Sequence, residues 1–334
     1  MANISIAASS NKGVDDDSLA ASFQFGGRML DAESRHQPQQ TFLFGYPIAR
    51  SLAPLLHTTL FRGVSLPWTY ELQETQDASE FLPTLKKQGV IGCAVTMPYK
   101  VTMMSVVDDM TEEGRKIGAI NTVFLRRAPD GSTRYIGTNT DCVGVRDAFL
   151  QNFPGIRAEA AGKPALVIGG GGACRAAVYA LWKWLGASRV YMVNRLESEV
   201  TAVVEWFRTA ERSLEVVHVA SVEQAVALET PFLIVGAVPD FPPKKPGEIT
   251  ARNIINEFLT RPDKGCILEM CYHPKPTTVF FTLGKDAGWR MLYGTESMIW
   301  QGVAQQILWA ELPLEEFKVD EAQEVIDEAL KSHA

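Results

Sequence analysis

The hydrophobic and polar positions of the chain follow two periodicities from residue 40 onward. The apolar runs TFLFGY and GVIGCAVTM and the alternating run WTYELQE predict strands. Between these runs, residues 51–64 and the segment FLPTLKKQG have the spacing of helices. This alternation of strands and helices predicts an α/β domain.

A second alternating unit begins near Gly162. The segment PALVIGGGGACRAAVYALWKWLGASRVYMVNR predicts a strand, a glycine turn, a helix and a second strand. LEVVHVA, PFLIVGAV and GCILEMCY continue the alternation, and the pattern after Gly294 is helical to the end of the sequence. With 334 residues, the chain is long enough for two domains that each bury a core.

The first 39 residues are polar, rich in Ser, Asp and Gln, and without sustained periodicity, so we predict a disordered tail over 1–39. The start lacks the basic region and apolar core of a signal peptide, and no apolar run approaches the ~18 residues of a membrane span. The five scattered cysteines are typical of reduced cytosolic thiols, and no Cys/His group has zinc-ligand spacing. We therefore expect a cytoplasmic protein with no metal and no membrane partner.

The balance of charge narrows the choice of partner. The formal net charge is −7, which argues against nucleic acid or an anionic membrane, because both favour basic patches. An anionic small molecule remains possible, since a few local cations are enough to bind it. The oligomeric state stays open.

The glycine turn of the second unit has the pattern of a phosphate-binding loop. A strand that ends in glycines before a helix lets the backbone approach a pyrophosphate, and the helix N-terminus offers free N–H groups. The alternative is a tight turn without a ligand, but the strand–loop–helix–strand spacing favours a dinucleotide. The residues predicted to bind it are Gly169, Gly170, Gly171, Gly172 and Ala173.

The end of the following strand gives a mixed indication of which dinucleotide binds. An acidic residue there would bind a ribose 2′-hydroxyl, whereas cations would accept a 2′-phosphate. The chain has Asn194 and Arg195, and Arg195 could stack on adenine as readily as bind phosphate. Glu197 and Glu199 would repel a 2′-phosphate if they faced it, or would be solvated residues at a helix N-terminus. We expect NAD, with NADP left open.

Six further motifs accompany this loop: GYPIARSLAP at 45–54, AVTMPYK at 94–100, GAINT at 118–122, GTNTDCVG at 137–144, EMCYHP at 269–274 and GTESMIWQ at 294–301. Together with the loop, they resemble the shikimate/quinate dehydrogenase family from about residue 42 to the end of the chain. Several details, including SLAPLLH, AVTMP and NTDC, are most similar to fungal quinate dehydrogenases.

The resemblance implies a fold and a set of roles. It implies an N-terminal α/β substrate domain at about 40–145, completed by helices at 298–330, and a Rossmann-type domain at 146–297. Lys100 and Asp141 match the catalytic pair, which takes the hydroxyl proton while hydride leaves for the nicotinamide. The alternative is a structural Lys–Asp pair. The residues that match substrate contacts are Ser51, Thr96, Lys100, Asn121, Thr140, Asp141, Tyr272 and Gln301, and those expected on the pocket side of the dinucleotide domain are Ala237, Val238 and Gly294.

The chain departs from the family pattern at the end of the site expected to hold a carboxylate. The usual Ser-x-Ser-Pro is Ser51-Leu52-Ala53-Pro54 here, so one hydroxyl is missing. Quinate carries an extra hydroxyl on its carboxylate-bearing carbon, and losing a serine hydroxyl there makes room for it. The alternative is looser carboxylate binding and a different acid. Arg50, where the family often has His, either reaches the carboxylate or faces solvent.

The expected activity is oxidation of quinate to 3-dehydroquinate with NAD. A first rival is an NADP-dependent shikimate dehydrogenase, in which Arg195 would contact the 2′-phosphate. A second rival is a catalytically silent sensor of quinate or shikimate, which would be expected to lack catalytic residues. Lys100 and Asp141 are both present, and this favours an enzyme.

Overall fold

A computed structural model describes residues 15–272 and 275–332 of the protein. Residues 1–14 of the predicted tail, and His273 and Pro274 of the EMCYHP motif, lie outside the described residues. Within the described ranges, no helix is long and apolar enough to cross a membrane.

The predicted α/β fold is confirmed, and the strands of the described residues form two six-stranded sheets. The strands of the first sheet are β1 (Gln40–Gly45), β2 (Thr69–Glu74), β3 (Val90–Val95), β4 (Asp109–Met110), β5 (Thr122–Arg127) and β6 (Thr133–Thr138). Those of the second sheet are β7 (Ala165–Ile168), β8 (Val190–Val193), β9 (Val216–His218), β10 (Leu233–Gly236), β11 (Cys266–Glu269) and β12 (Arg290–Tyr293).

Helices alternate with these strands through most of the chain. The α-helices are α1 (Asp15–Ser22), α2 (Ala32–Arg35), α3 (Ala53–Gly63), α4 (Phe81–Leu85), α5 (Glu112–Ile117), α6 (Asp141–Asn152), α7 (Ile156–Ala160), α8 (Gly172–Lys183), α9 (Glu197–Ala210), α10 (Val222–Ala227), α11 (Pro246–Thr260), α12 (Val279–Asp286), α13 (Gly294–Ala310) and α14 (Val319–Ser332). Short 3₁₀ turns lie at Phe23–Phe25, Ala78–Glu80, Thr102–Ser105 and Leu314–Glu316.

The first sheet is mixed, with the strand order β2-β1-β3-β5-β6-β4. Strand β1 pairs in parallel with β2 and β3, whereas β5 is antiparallel to both β3 and β6. Every residue of β3 is buried, which explains why this strand is a continuous apolar run rather than an alternating one. Because β5 pairs with both β3 and β6, the motifs at 94–100, 118–122 and 137–144 meet at neighbouring strand ends.

The second sheet is entirely parallel, with the order β12-β11-β10-β7-β8-β9. This is the doubly wound arrangement of dinucleotide-binding domains, in which the strand order reverses between β7 and β10. Ligands of such sheets bind in the crevice at the reversal. The glycine loop follows β7 and lies at this point.

The two C-terminal helices α13 and α14 bury most of their apolar residues on the side of the first sheet. Their apolar residues, from Met298 to Ile326, share one buried cluster with residues of α3 such as Leu56 and Leu60. Helix α13 also crosses α6 closely. A methyl group on Gly144 of α6 would collide with the Ser297 carbonyl oxygen of α13, so this close approach requires glycine. The proposed domain boundary at 145/146 falls inside α6 (Asp141–Asn152).

The N-terminal segment differs from the prediction of a disordered tail. Residues 15–39 contain α1 and α2, and Leu19, Phe25 and Leu30 are buried in the cluster that includes α13. The buried guanidinium of Arg126 donates to the Ser22 hydroxyl oxygen and stacks 4.9 Å from the Phe23 ring. The prediction is wrong for this segment because its few apolar residues are too irregularly spaced to produce a periodic pattern, although they do reach the core.

Candidate active site

A cavity of about 180 Å³ lies among β1, β3, the start of α3 and the first turns of α13. Its volume suits a small molecule rather than a drug-sized one. Gly294, expected on the cofactor side, also lines it. The residues predicted to bind substrate that line this cavity are Ser51, Thr96, Lys100, Asn121, Asp141, Tyr272 and Gln301.

Lys100 and Asp141 form an ion pair at the wall of the cavity. The Lys100 Nζ donates to Asp141 Oδ2, and the two side chains are 15% and 11% exposed. Lys100 follows the turn after β3, whereas Asp141 is the first residue of α6, where the helix dipole favours a carboxylate. The pair is thus held by two separate elements and keeps limited access to the cavity.

Asn121 connects this pair to the rest of the site. Its Nδ2 lies 2.9 Å from Asp141 Oδ1 and 3.2 Å from Gln301 Oε1. Its Oδ1 accepts from the backbone N–H of Thr140 at 2.6 Å and from the Thr122 hydroxyl at 2.9 Å. One amide therefore fixes the second oxygen of Asp141 and the side chain of Gln301.

Thr140 is placed behind the cavity instead of lining it. Its hydroxyl lies 3.0 Å from the Asn121 Nδ2 and 3.0 Å from the Thr122 hydroxyl, and the residue is 2% exposed. The resemblance implied a substrate contact at this position. In this structure the hydroxyl lies in the interior at the start of α6 and supports Asn121.

The opposite part of the cavity carries fewer polar groups. The Ser51 hydroxyl accepts from the backbone N–H of Ala53 at 3.2 Å, and Ala53 itself lines the cavity. Tyr272 contacts Met298 through its hydroxyl at 3.4 Å, and burial raises the pKa of Tyr272 to about 12. Arg50 is exposed and does not line the cavity, so of the two alternatives the structure has the one facing solvent.

Three polar residues that the sequence reasoning missed also line the cavity, Tyr70 of β2 and Ser297 and Gln305 of α13. Gln305 donates through Nε2 to the Thr122 hydroxyl oxygen at 2.9 Å. Its spacing of four residues from Gln301 places both on one face of α13, and this spacing could have identified it. Around Tyr70 the sequence shows only an alternating strand.

The glycine loop has the geometry of a dinucleotide cradle. Gly169 has φ +125°, and a methyl group there would lie 2.6 Å from Cys174 Sγ. A methyl group on Gly171 would meet no atom within 4 Å among the described residues, so this backbone faces open space. In that part of the chain no side chain caps the N-terminus of α8, which leaves its N–H groups for a ligand.

The other predicted cofactor residues surround this loop. Ala237 donates its N–H to the Ile168 carbonyl at 3.0 Å. A methyl group on Gly169 would lie 3.2 Å from Val238 Cγ1. On the cavity side, a methyl group on Gly172 would lie 3.3 Å from Lys100 Cδ. Gly172 of the loop therefore adjoins the aliphatic part of the Lys100 side chain.

Asn194 and Arg195 each pair with a carboxylate. Asn194 Nδ2 donates to Glu199 Oε2 at 2.5 Å, and Arg195 donates to Glu248 Oε1 at 3.0 Å. Glu199 lies over the loop, since a methyl group on Gly170 would be 2.6 Å from its Cβ. The backbone N–H groups of residues 244 and 245, and then Arg195, lower the pKa of Glu248 to about 2.

A buried carboxyl group lies behind the cofactor side of the site. Glu269, at the end of β11, is 2% exposed and accepts from the backbone N–H of Cys271 at 2.9 Å. Burial raises the pKa of Glu269 to about 8. The carboxyl group is therefore largely protonated at neutral pH.

Comparison with known proteins agrees with this geometry. Residues 43–123 match the shikimate dehydrogenase substrate binding domain. The chain is 41% identical over 284 residues to the quinate dehydrogenase of Emericella nidulans, in a match that covers 80% of this chain and 86% of that protein. It is 34% identical over 279 residues to the pentafunctional AROM polypeptide of Eremothecium gossypii, of which it spans 17%.

A solved structure agrees over nearly the whole fold. Shikimate 5-dehydrogenase (AroE) from Thermus thermophilus, in complex with NADP(H) and shikimate, has a TM-score of 0.67 and 27% identity to the chain. The match covers 87% of this chain and 100% of that one. These comparisons confirm the resemblance drawn from the motifs. The chain belongs to the shikimate and quinate dehydrogenase family, whose members are oxidoreductases that act on a CH–OH group.

Proposed function

We propose that the protein oxidises quinate to 3-dehydroquinate and transfers the hydride to NAD. The observation that carries this proposal is the Lys100–Asp141 ion pair, which lines a small polar cavity and adjoins the glycine loop at Gly172. A proton-transfer group, a substrate cavity and a dinucleotide cradle then share one cleft. This combination supports dehydrogenation of a carbinol.

The proposed chemistry assigns one task to each polar group. The Lys100–Asp141 pair accepts the proton of the ring hydroxyl as the carbon–oxygen bond becomes a carbonyl. Asp141 orients the Lys100 amine and the substrate hydroxyl, and Asn121 holds Asp141 through its other oxygen. When bound, the nicotinamide supplies the acceptor for the hydride that leaves the same carbon. Gly169–Gly172 and the N-terminus of α8 would hold its pyrophosphate.

The choice of quinate rests on the carboxylate end of the cavity. Ala53 lines the cavity where the family pattern has a second serine, and this leaves space and removes a competing hydroxyl. The relative that is 41% identical is a quinate dehydrogenase, which supports the same choice. Ser51 and Tyr272 would hold the carboxylate, whereas Thr96, Asn121 and Gln301 would contact ring hydroxyls.

The choice of NAD rests on two carboxylates. Glu199 lies over Gly170 and is bonded to Asn194, and Glu248 is bonded to Arg195. Both would oppose a 2′-phosphate, either by repulsion or by occupying the cation that would bind it. With its charge paired to Glu248, the Arg195 side chain would stack on the adenine of the dinucleotide.

A second candidate is an NADP-dependent shikimate dehydrogenase. The Arg195 side chain is 56% exposed despite its partner, so a 2′-phosphate could compete for it. The Thermus thermophilus relative is in complex with NADP(H) and shikimate. A catalytically silent sensor has less support, because the Lys100–Asp141 pair is intact.

We also propose a cytoplasmic location. No disulfide forms between cysteines of the described residues, and four of the five cysteines are buried, which supports a reducing compartment.

The experiment that tests the proposal is an initial-rate assay at 340 nm. Quinate and shikimate would each be combined with NAD and NADP, and the product would be identified by mass spectrometry. We expect the highest kcat/KM for quinate with NAD and a product two mass units lighter than quinate. A preference for shikimate with NADP would favour the second candidate, and binding without turnover in all four combinations would favour the sensor.

A further inference from the structure

The hydroxyl of Tyr70 is a buried polar group that the function described above does not use. Tyr70 is 7% exposed, and its hydroxyl oxygen has no hydrogen-bond partner among the residues that the structure describes. Burial raises the pKa of Tyr70, so the hydroxyl is protonated at neutral pH and can donate. An unpaired hydroxyl in this position destabilises the folded state and therefore needs an explanation.

The position of Tyr70 suggests the explanation. Tyr70 lines the same cavity as Ser51 and Ala53. Ala53 and His57 are four residues apart on α3 and so lie on one face of that helix. The His57 ring stacks on the Tyr70 ring, with centroids 4.2 Å apart and planes at 9°. The Tyr70 ring thus lies about one helical turn from the position of the missing serine.

The contacts of His57 fix the orientation of the Tyr70 ring. His57 Nδ1 is bonded to Gln306 Nε2 at 2.8 Å, and the ring is fully buried. Burial lowers the pKa of His57 to about 3, so its ring is neutral at physiological pH. Tyr70 is consequently held against an uncharged, buried ring, and its hydroxyl is a polar group of the cavity that Ala53 and Ser51 also line.

We propose that the Tyr70 hydroxyl pairs with the hydroxyl that quinate bears on its carboxylate-bearing carbon, and thereby determines the preference for quinate over shikimate. This inference rests on the proposed function. The substitution of serine by Ala53 makes room for the extra hydroxyl, and Tyr70 supplies its hydrogen bond. Shikimate lacks that hydroxyl and leaves Tyr70 unpaired, which a polar site penalises strongly.

The test is the variant Tyr70→Phe, which removes one atom and keeps the ring stacked on His57. With NAD, we expect kcat/KM for quinate to fall about 10- to 100-fold, the loss of one buried hydrogen bond, chiefly through KM. The affinity for shikimate, measured as KM or as an inhibition constant, should change by less than about threefold. The matched control is Tyr135→Phe, a tyrosine of β6 outside the cavity, which should leave both constants unchanged.

The unfolding temperature provides a second readout. Because the free protein leaves the Tyr70 hydroxyl unpaired, Tyr70→Phe should unfold at the same temperature as the wild type or a higher one. Equal losses for quinate and shikimate would overturn the inference, since Tyr70 would then hold a group common to both. No loss for either would also overturn it. A wild-type protein that does not oxidise quinate would instead refute the proposed function, before any variant is compared.

Discussion

Arg195 donates to Glu248 across 3.0 Å, and this pair joins the end of β8 to the first turn of α11. Glu248 uses its other oxygen to accept from the N–H groups of Lys244 and Lys245, at 3.0 and 3.1 Å. The carboxylate is therefore fixed by the helix start and stays ionised over the physiological range. The Arg195 guanidinium, near the glycine loop, is therefore already paired with a carboxylate of the protein, Glu248.

This pair predicts how the cofactor preference can be changed. Glu248→Gln keeps an oxygen for the helix start but removes the charge that holds Arg195. We expect kcat/KM with NADP to rise about tenfold relative to NAD, about the effect of freeing one exposed cation for a phosphate. The measurement is the initial rate with each dinucleotide at saturating quinate. The double variant Glu248→Gln/Arg195→Gln should lose the gain, and an unchanged ratio in the single variant would refute the role of the pair.

The buried carboxyl group of Glu269 predicts a pH dependence of stability. Its pKa is about 8 in the folded protein against 4.5 for the free side chain, so between these values the unfolded state releases a proton that the folded state keeps. The free energy of unfolding is therefore highest, as far as this group is concerned, below pH 4.5, and it decreases as the pH rises toward 8. Glu269→Gln should remove the loss and stabilise the protein at pH 8 by on the order of 2–4 kcal/mol.

Urea unfolding at pH 5 and pH 8 measures this effect. The exposed Glu205, changed to Gln, is the matched control and should follow the wild type at both values. If Glu269→Gln lost as much stability between pH 5 and pH 8 as the wild type does, Glu269 would not be the group responsible.

The hydrogen bonds of Asn121 predict that the rate depends on how the Lys100–Asp141 pair is oriented. Asn121→Ala removes a partner of Asp141 Oδ1 and leaves the N–H of Thr140 without its acceptor. We expect kcat to fall about 100-fold, because the proposed proton-transfer pair, Lys100 and Asp141, loses its alignment. We also expect a loss of about 1–3 kcal/mol of stability from the buried N–H. Asn152→Ala removes an amide that bonds to the Ala148 carbonyl and the Glu296 carboxylate outside the cavity, and it should retain kcat; equal losses in both variants would show that Asn121 has no special role.

The packing of residues 15–39 predicts that shortening the buried Phe25 side chain destabilises the protein. Phe25 is buried and contacts Phe124 edge to face, with centroids 6.4 Å apart. Phe25→Ala should destabilise the protein by about 3–5 kcal/mol and accelerate proteolysis within residues 15–39. The exposed neighbour Gln24, changed to Ala, should have little effect. Unchanged stability of Phe25→Ala would restore the prediction of a loosely attached tail.

The sequence predicted those parts of the molecule in which a local pattern determines the structure. The glycine loop is an example, because Gly169 needs φ > 0 and Gly171 needs an open face, and both requirements act within a few residues. The alternation of strands and helices also follows from local periodicity, and the doubly wound order of the second sheet is the usual outcome of such a pattern.

The parts that the sequence did not reveal depend on contacts between distant segments. Phe25 is buried because Phe124, about a hundred residues later, offers an apolar surface, and nothing near Phe25 indicates this. Tyr70 reaches the cavity because β2 pairs beside β1 and His57 supports its ring. Thr140 matched a motif, yet the turn at the start of α6 directs its hydroxyl to Asn121. Motif positions thus locate a site, whereas tertiary packing decides which side chains line it.

The most direct test of the account is the rate of Lys100→Met with quinate and NAD. Methionine keeps much of the length of the side chain and removes the amine of the pair that is proposed to accept the hydroxyl proton. We expect kcat to fall about 10²- to 10⁴-fold, while the affinity for NAD, measured by calorimetry, and the unfolding temperature stay near wild-type values. A Lys100→Met protein that oxidises quinate at the wild-type rate would contradict the assignment of Lys100 and Asp141 as the catalytic pair.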